Sequence, residues 1–272
     1  MASWLRRHHR QLEGSHCLSI SHLEQLGCHA QAGQPSTRSI RICKVNENLV
    51  VVTPYDNDIF SKTSNHSLRV CSRWEEATES VQTIADMADA ASTPLEIRFV
   101  NGFEPLIVGD DIIGSNAVLV GQLSTEPSGL NPICKQIRGI ARRLKEMEID
   151  LRNSGKIALL IICSDGESTD GSIVDVLRPL EGMPLQIIVR LCTHGKEVND
   201  YWQNITAQLN LDIFVLNRQK DEAVLIAENN SWLVYGEALH RLREFGVMDT
   251  AIDVLRYRQL SKPEIVKVSK RL

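Results

Sequence analysis

The run Ile157-Ala158-Leu159-Leu160-Ile161-Ile162-Cys163, followed by Ser164-Asp165-Gly166-Glu167-Ser168-Thr169-Asp170-Gly171, decides how the rest of the chain reads. Seven consecutive apolar residues leave no polar face. A strand made of them must be covered on both sides, which is the condition of a central strand in a parallel sheet. The stretch that follows is dense in Ser, Asp and Gly, so the strand stops there and its carboxyl end carries oxygen-bearing side chains.

Working outward, other short apolar runs alternate with amphipathic stretches. LVVV (49–52), LEIRFV (95–100), PLIV (105–108), LQIIVRLC (185–192) and LDIFVL (211–216) read as further strands. Asn101-Gly102 separates the second and third of these and suits a tight hairpin, which predicts one antiparallel edge strand. Ser72-Arg73-Trp74-Glu75 is a capping box ahead of Ala77, Val81, Ile84 and Ala88 at helical spacing. Asn131-Pro132 reads as the N-cap and first residue of a long helix that Gly155 stops. Further helices are predicted over 173–180, 198–209, 236–245, 250–257 and 263–268. Helices alternating with parallel strands predict a three-layer, Rossmann-like α/β fold: a mostly parallel sheet with one antiparallel edge strand and helices on both faces. Residues 1–44 read as a polar, His-rich extension with a short helix near 20–26, residues 45–230 as the α/β domain, and 231–272 as a helical extension.

The 272 residues carry Lys+Arg 30 against Asp+Glu 34, a formal net charge of −4. A nucleic-acid-coating surface would show a basic excess, so no nucleic-acid partner is expected. No apolar run reaches the roughly 18 residues of a membrane span. The seven cysteines are odd in number and contain no CxxC pair, which points to reduced thiols in an intracellular, cytoplasmic setting. Organelle targeting by the Arg-containing start stays open beside that reading. The sequence lacks GxxxxGK[ST], a GxGxxG after a strand, and GxSxG.

In an open α/β sheet, ligands bind outside the carboxyl ends of the strands. The segments there include Asp56-Asn57-Asp58, Ser128-Gly129-Leu130-Asn131, Asp165–Asp170 and Thr193-His194. Taken in order, the acidic loop after the first strand, the helix opening SRWEEATESV (72–81), SGLNPIC (128–134) and SDGESTDG (164–171) make the chain resemble the von Willebrand factor A domain family from about residue 45 to about residue 216. That resemblance implies a protein-interaction module whose partner docks at the strand-end rim through a metal-ion-dependent adhesion site holding Mg²⁺.

Asp165 matches the last element of such a site. The first loop, Asp56-Asn57-Asp58-Ile59-Phe60, has no Ser at the expected places, with Ser61, Thr63 and Ser64 following, and Asn131 stands where the family has a Thr. The resemblance therefore implies a degenerate site with weak or absent Mg²⁺, drawing on Asp165, Asp56, Asp58 and Asn131, and a partner face at Glu167, Asp170, Ser168 and Ser128. Without a metal, Asp165 reads as an acidic turn residue and Asn131 as an N-cap. Two rival readings stand beside this one. Cys163 and His194, each ending a strand, could form a thiol–imidazole pair in a hydrolase or transferase. Alternatively, the chain is a structural subunit that makes its contacts through the extensions. Trp232-Leu233-Val234-Tyr235 suits either a partner surface or packing of the C-terminal helices.

Overall fold

The computed structural model describes residues 45–52, 59–64, 67–100, 104–108, 115–125, 128–247 and 250–270, with side chains described from Ser72 onward except at 115 and 250. The expected helix near 20–26, the Asn101-Gly102 turn, and Asp56 and Asp58 lie outside the described residues.

The strands are β1 (Val45–Val52), β2 (Ile59–Ser64), β3 (Ser67–Ser72), β4 (Leu95–Phe99), β5 (Leu106–Val108), β6 (Ile157–Ser164), β7 (Leu185–Leu191) and β8 (Asp212–Leu216). Six of them form one sheet in the order β5-β4-β1-β6-β7-β8. All neighbours pair parallel except β4 and β5, so the expected antiparallel edge is present. The apolar run 157–163 lies between β1 and β7, the central position its two-sided apolarity requires.

The helices are α1 (Arg73–Ala90), α2 (Ser115–Leu123), α3 (Ile133–Ser154), α4 (Ile173–Leu177, continued by a 3-10 turn Arg178–Leu180), α5 (Lys196–Ala207), α6 (Gln219–Asn229), α7 (Glu237–Glu244), α8 (Thr250–Asp253) and α9 (Lys262–Ser269). Alternation along β6 divides the core. Ala158, Leu160 and Ile162 face a layer built by α3, α4 and α5 around the fully buried Trp202. Leu159, Ile161 and Cys163 face the layer of α1 and α2. A third cluster joins Ile226 of α6, Leu239 of α7, Ile252 of α8 and Val268 of α9. Gly246, just past α7, holds that cluster close to the sheet. Its φ is +83°, and a Cβ there would stand 2.7 Å from Leu159 Cδ2, so both conformation and space select glycine.

Two details differ from the sequence reading. Residues 59–64 and 67–72, read in part as loop, pair as the antiparallel strands β2 and β3, so Ser61, Thr63 and Ser64 belong to a paired strand. The long helix begins one residue later than expected. Pro132 occupies the N-cap position without a side-chain cap, and Asn131 lies outside the helix. The capping box at Ser72 and Glu75 is present, with both reciprocal hydrogen bonds formed.

Candidate functional site

From β1 the chain moves outward through β4 to β5, then returns to place β6 on the other side of β1. The strand order therefore reverses between β1 and β6. The crevice beyond their carboxyl ends is where doubly wound sheets bind ligands. Asp165 follows β6 directly into that crevice.

The loop after β6 is held by its own polar atoms. Ser164 Oγ donates to Gly166 O at 2.9 Å and accepts from Gly166 N at 3.3 Å. Asp170 then reaches the start of α3, where its two carboxylate oxygens accept from Cys134 N at 2.9 Å and Lys135 N at 2.7 Å. This supplies from another loop the cap that Pro132 cannot give, and it places a negative charge at the positive end of the helix dipole. Ser168 Oγ donates to Asp170 at 2.7 Å and lies 3.3 Å from Cys134 Sγ, while Arg138 approaches Asp170 at 3.9 Å. Burial works against the Asp170 charge, but the Ser168 hydroxyl, the two amides and Arg138 outweigh it and hold the carboxyl below its ordinary value. Ser168 and Asp170, expected on the partner face, are thus engaged inside the rim.

Asn131 ties the two loops together. Its Nδ2 donates to Glu167 O at 3.1 Å, and its own carbonyl accepts from Thr169 N at 2.9 Å. What remains outward is Glu167, Ser128 and Leu130, the last 73% exposed. Asp165 faces Arg73, the first residue of α1, whose Nη1 lies 3.6 Å from Oδ2. Sequence reasoning missed Arg73 in this role. Its place directly after the capping Ser72, at the helix end aimed at the rim, was the available signal.

Mg²⁺ takes near-octahedral oxygen ligands. The described donors the resemblance assigns to it are the Asp165 carboxylate, already facing a guanidinium, and Asn131 Oδ1, a buried acceptor without a hydrogen-bond partner. Among the described residues no three His, Cys, Asp or Glu side chains group so as to hold a metal ion. The other two ligands the resemblance assigns, Asp56 and Asp58, lie outside the described residues.

Cys163 and His194 sit in different surroundings. Cys163 is fully buried, and burial, reinforced by neighbouring Cys192, pushes its thiol well above the ordinary value, which suppresses the nucleophilic thiolate. The His194 side chain is 54% exposed, with Nδ1 3.1 Å from Asp221 Oδ2 and Nε2 against Arg218 Nη1. Both ring nitrogens of His194 thus face side-chain partners, Asp221 and Arg218.

A second feature unseen in sequence is a buried ionic network where β7, α1, α6 and α7 meet. Arg190, 1% exposed, places Nη2 2.6 Å from Glu76 and Nε 2.8 Å from Glu244. Arg218 Nε pairs with Glu76 at 2.9 Å, and Arg241 Nη1 with Glu244 at 2.7 Å. Glu222 pairs with Arg243 at 2.9 Å and Arg256 at 2.7 Å. The network fixes α7 against α1 and holds the amino-terminal turns of α1, beside the rim.

No protein-family profile matches the chain, and no curated protein matches it. Solved structures with a similar trace include an aerotolerance-related membrane protein from Bacteroides fragilis NCTC 9343 with multiple mutations to serines. It is 16% identical over 62% of this chain and 90% of that one, at a TM-score of 0.40. The conserved hypothetical protein BatB from Bacteroides thetaiotaomicron is 14% identical over 82% and 98%, at a TM-score of 0.42. Likenesses this distant carry no argument about what the rim binds. No helix among the described residues is long and apolar enough to cross a membrane.

Proposed function

We propose that this chain is a non-enzymatic protein-interaction module of the von Willebrand factor A type, which docks a partner protein on the strand-end rim with weak or absent Mg²⁺. The observation that carries the reading is the cross-bonding of two rim loops through Asn131, Thr169 and Asp170 around an outward Leu130 and Glu167. Rigid loops lose little entropy on binding, and an exposed apolar anchor beside a charge is what an interface core and rim require. Arg73 supplies beside Asp165 the positive charge that a metal would otherwise bring.

A photo-crosslinking residue at Leu130 tests the proposal, with Ile149, 70% exposed on the far half of α3, as the control position. A discrete protein adduct from position 130, absent from 149 and lost with Glu167→Arg, supports it. Adducts from 149 with none from 130 would reject it. The structural-subunit reading draws on Val234 and Tyr257, 92% and 63% exposed in the C-terminal helical region. It predicts adducts at position 234 instead.

A further inference from the structure

Asn230, buried after α6, ties the loop that follows it to the turn leading into α9. Its Nδ2 donates to Leu255 O at 2.7 Å and to Arg258 O at 2.8 Å, and its Oδ1 accepts from Leu260 N at 2.9 Å and from Trp232 Nε1 at 3.3 Å. The exposed Trp232 therefore stands beside the start of α9, with Val234, 92% exposed, two residues further on. We infer that this surface docks on an anionic lipid bilayer, with Lys262, Lys267 and Lys270 meeting the head groups and Trp232 and Val234 entering the interface between head groups and acyl chains.

Helix geometry gathers the charge. Ile265 and Val268 turn inward to the cluster of Ile226, Leu239 and Ile252. The other side of α9 carries Lys262 and Val266 at four-residue spacing, then Lys270 at the carboxyl cap, with Lys267 beside them, all exposed. The one acid of the helix, Glu264, is held by Arg258 at 2.7 Å and by Ser261. Among the described residues no carboxylate pairs with any of the three lysines. The exposed acids nearest in sequence to the Trp232–Val234 tip are Glu228 and Glu237, the second already 3.5 Å from Arg241. Lys267 and Lys270 complement the helix dipole, but Lys262 is the first residue of α9 and opposes it, so the dipole does not account for the set. On a chain of formal net charge −4 these lysines are a local concentration, not the background.

Shape favours a bilayer over an acidic protein segment. Protein partners seat their anchors in well-packed pockets. Val234 leaves almost its whole side chain in water, so it is a protrusion and offers no wall to a partner side chain. The N–H of Trp232 is taken up inward by Asn230, and it is the only polar atom of the indole, so the exposed part of the ring is carbon. Apolar side chains beside lysines suit the boundary of a bilayer, where the first enter the acyl region and the second meet anionic lipid.

Cosedimentation of the full chain with vesicles of phosphatidylcholine alone, and of phosphatidylcholine mixed with phosphatidylserine, tests the inference. The expected result is binding to the phosphatidylserine vesicles only, weakening as salt rises. Lys262→Gln, Lys267→Gln and Lys270→Gln should each lower the partition roughly fivefold, and Val234→Asp should abolish it, all without lowering the melting temperature because the four side chains are exposed. Tryptophan emission should shift to the blue on binding, a change absent from Trp232→Phe. Binding to neither vesicle, equal binding to both, or wild-type partition in the lysine variants and in Val234→Asp would each overturn it. So would displacement of the vesicles by soluble polyglutamate at matched ionic strength, which would assign the face to an acidic protein.

Discussion

Replacing Glu244 by glutamine keeps the shape of the side chain and removes one buried charge. Glu244 is fully buried. It accepts from Arg190 Nε at 2.8 Å, Arg241 Nη1 at 2.7 Å and Ser80 Oγ at 3.3 Å, and His240 Nε2 lies at 3.3 Å. Without its charge, the described carboxylates left to Arg190 reduce to Glu76, which it shares with Arg218, beside the Leu191 carbonyl. Arg241 keeps the Ser80 hydroxyl and, among the described carboxylates, Glu79 and Glu237, at 3.6 and 3.5 Å and about half exposed. Breaking a buried pair from one side costs about 3–5 kcal/mol, because the surviving charge stays desolvated. At about 2–4 °C per kcal/mol for a chain of this size, Glu244→Gln should lower the melting temperature by roughly 6–20 °C.

Urea unfolding followed by far-UV circular dichroism reads the free energy directly, provided the slope is unchanged. The pH dependence has a definite sign. Burial alone would raise the Glu244 carboxyl, but Arg241, Arg190 and His240 bring it well below the ordinary value. Its contribution is therefore fully present above the unfolded pKa and is lost as pH falls through the depressed folded value. The gap between wild type and variant should be level near neutrality and narrow only in acid. A loss under about 1 kcal/mol at pH 7 would refute the claim that this network fixes α7 against α1.

Other outcomes follow from the same geometry. Cys163 should react with iodoacetamide at neutral pH far more slowly than a free thiol until the chain unfolds; fast native-state labelling that spares Cys134 and Cys192 would revive the hydrolase or transferase reading. Asp253, raised to about 6 by burial and by Asp212 against the pull of Arg243, contributes stability below its unfolded pKa that is lost as pH rises through about 6. Asp253→Asn should therefore be more stable than wild type at pH 7.5, by about 1–2 kcal/mol after discounting for its partial exposure, and the difference should vanish near pH 4. Magnesium titration by calorimetry should give no tight stoichiometric binding; such binding, abolished by Asp165→Ala, would reject the degenerate-site reading.

Much of the fold is legible in the sequence because its signals are local. The β6 run is apolar on both faces, the Ser72–Glu75 box caps α1, and the 211–216 run marks the last strand. The pairing of β2 and β3 is not legible: IFSKTS and SLRVCS mix polar and apolar residues without a clean alternation, and Asn65-His66 is a weak turn signal. Helix α2, SNAVLVGQL, carries no charge to mark a solvent face, so its apolar residues show no stripe.

At the rim, the sequence places Asp165 and Asn131 at the strand ends but cannot show what each one touches. Asp170 looks like a surface acid until it is seen capping a helix that begins 37 positions earlier, at Ile133. The ionic network is hidden for the same reason. Arg190 reads as one charge in an apolar strand, while its partners Glu244 and Glu76 lie 54 and 114 positions away. Contacts of that range are set by the sheet order, not by local pattern.

The most direct test of the rim as a docking surface is crosslinking from position 130 in the full chain, run in parallel with EDTA and with excess Mg²⁺. The expected result is the same partner adduct at similar yield in both, lost with Glu167→Arg. An adduct that forms only with Mg²⁺, or that survives Glu167→Arg unchanged, would contradict metal-independent docking on this face.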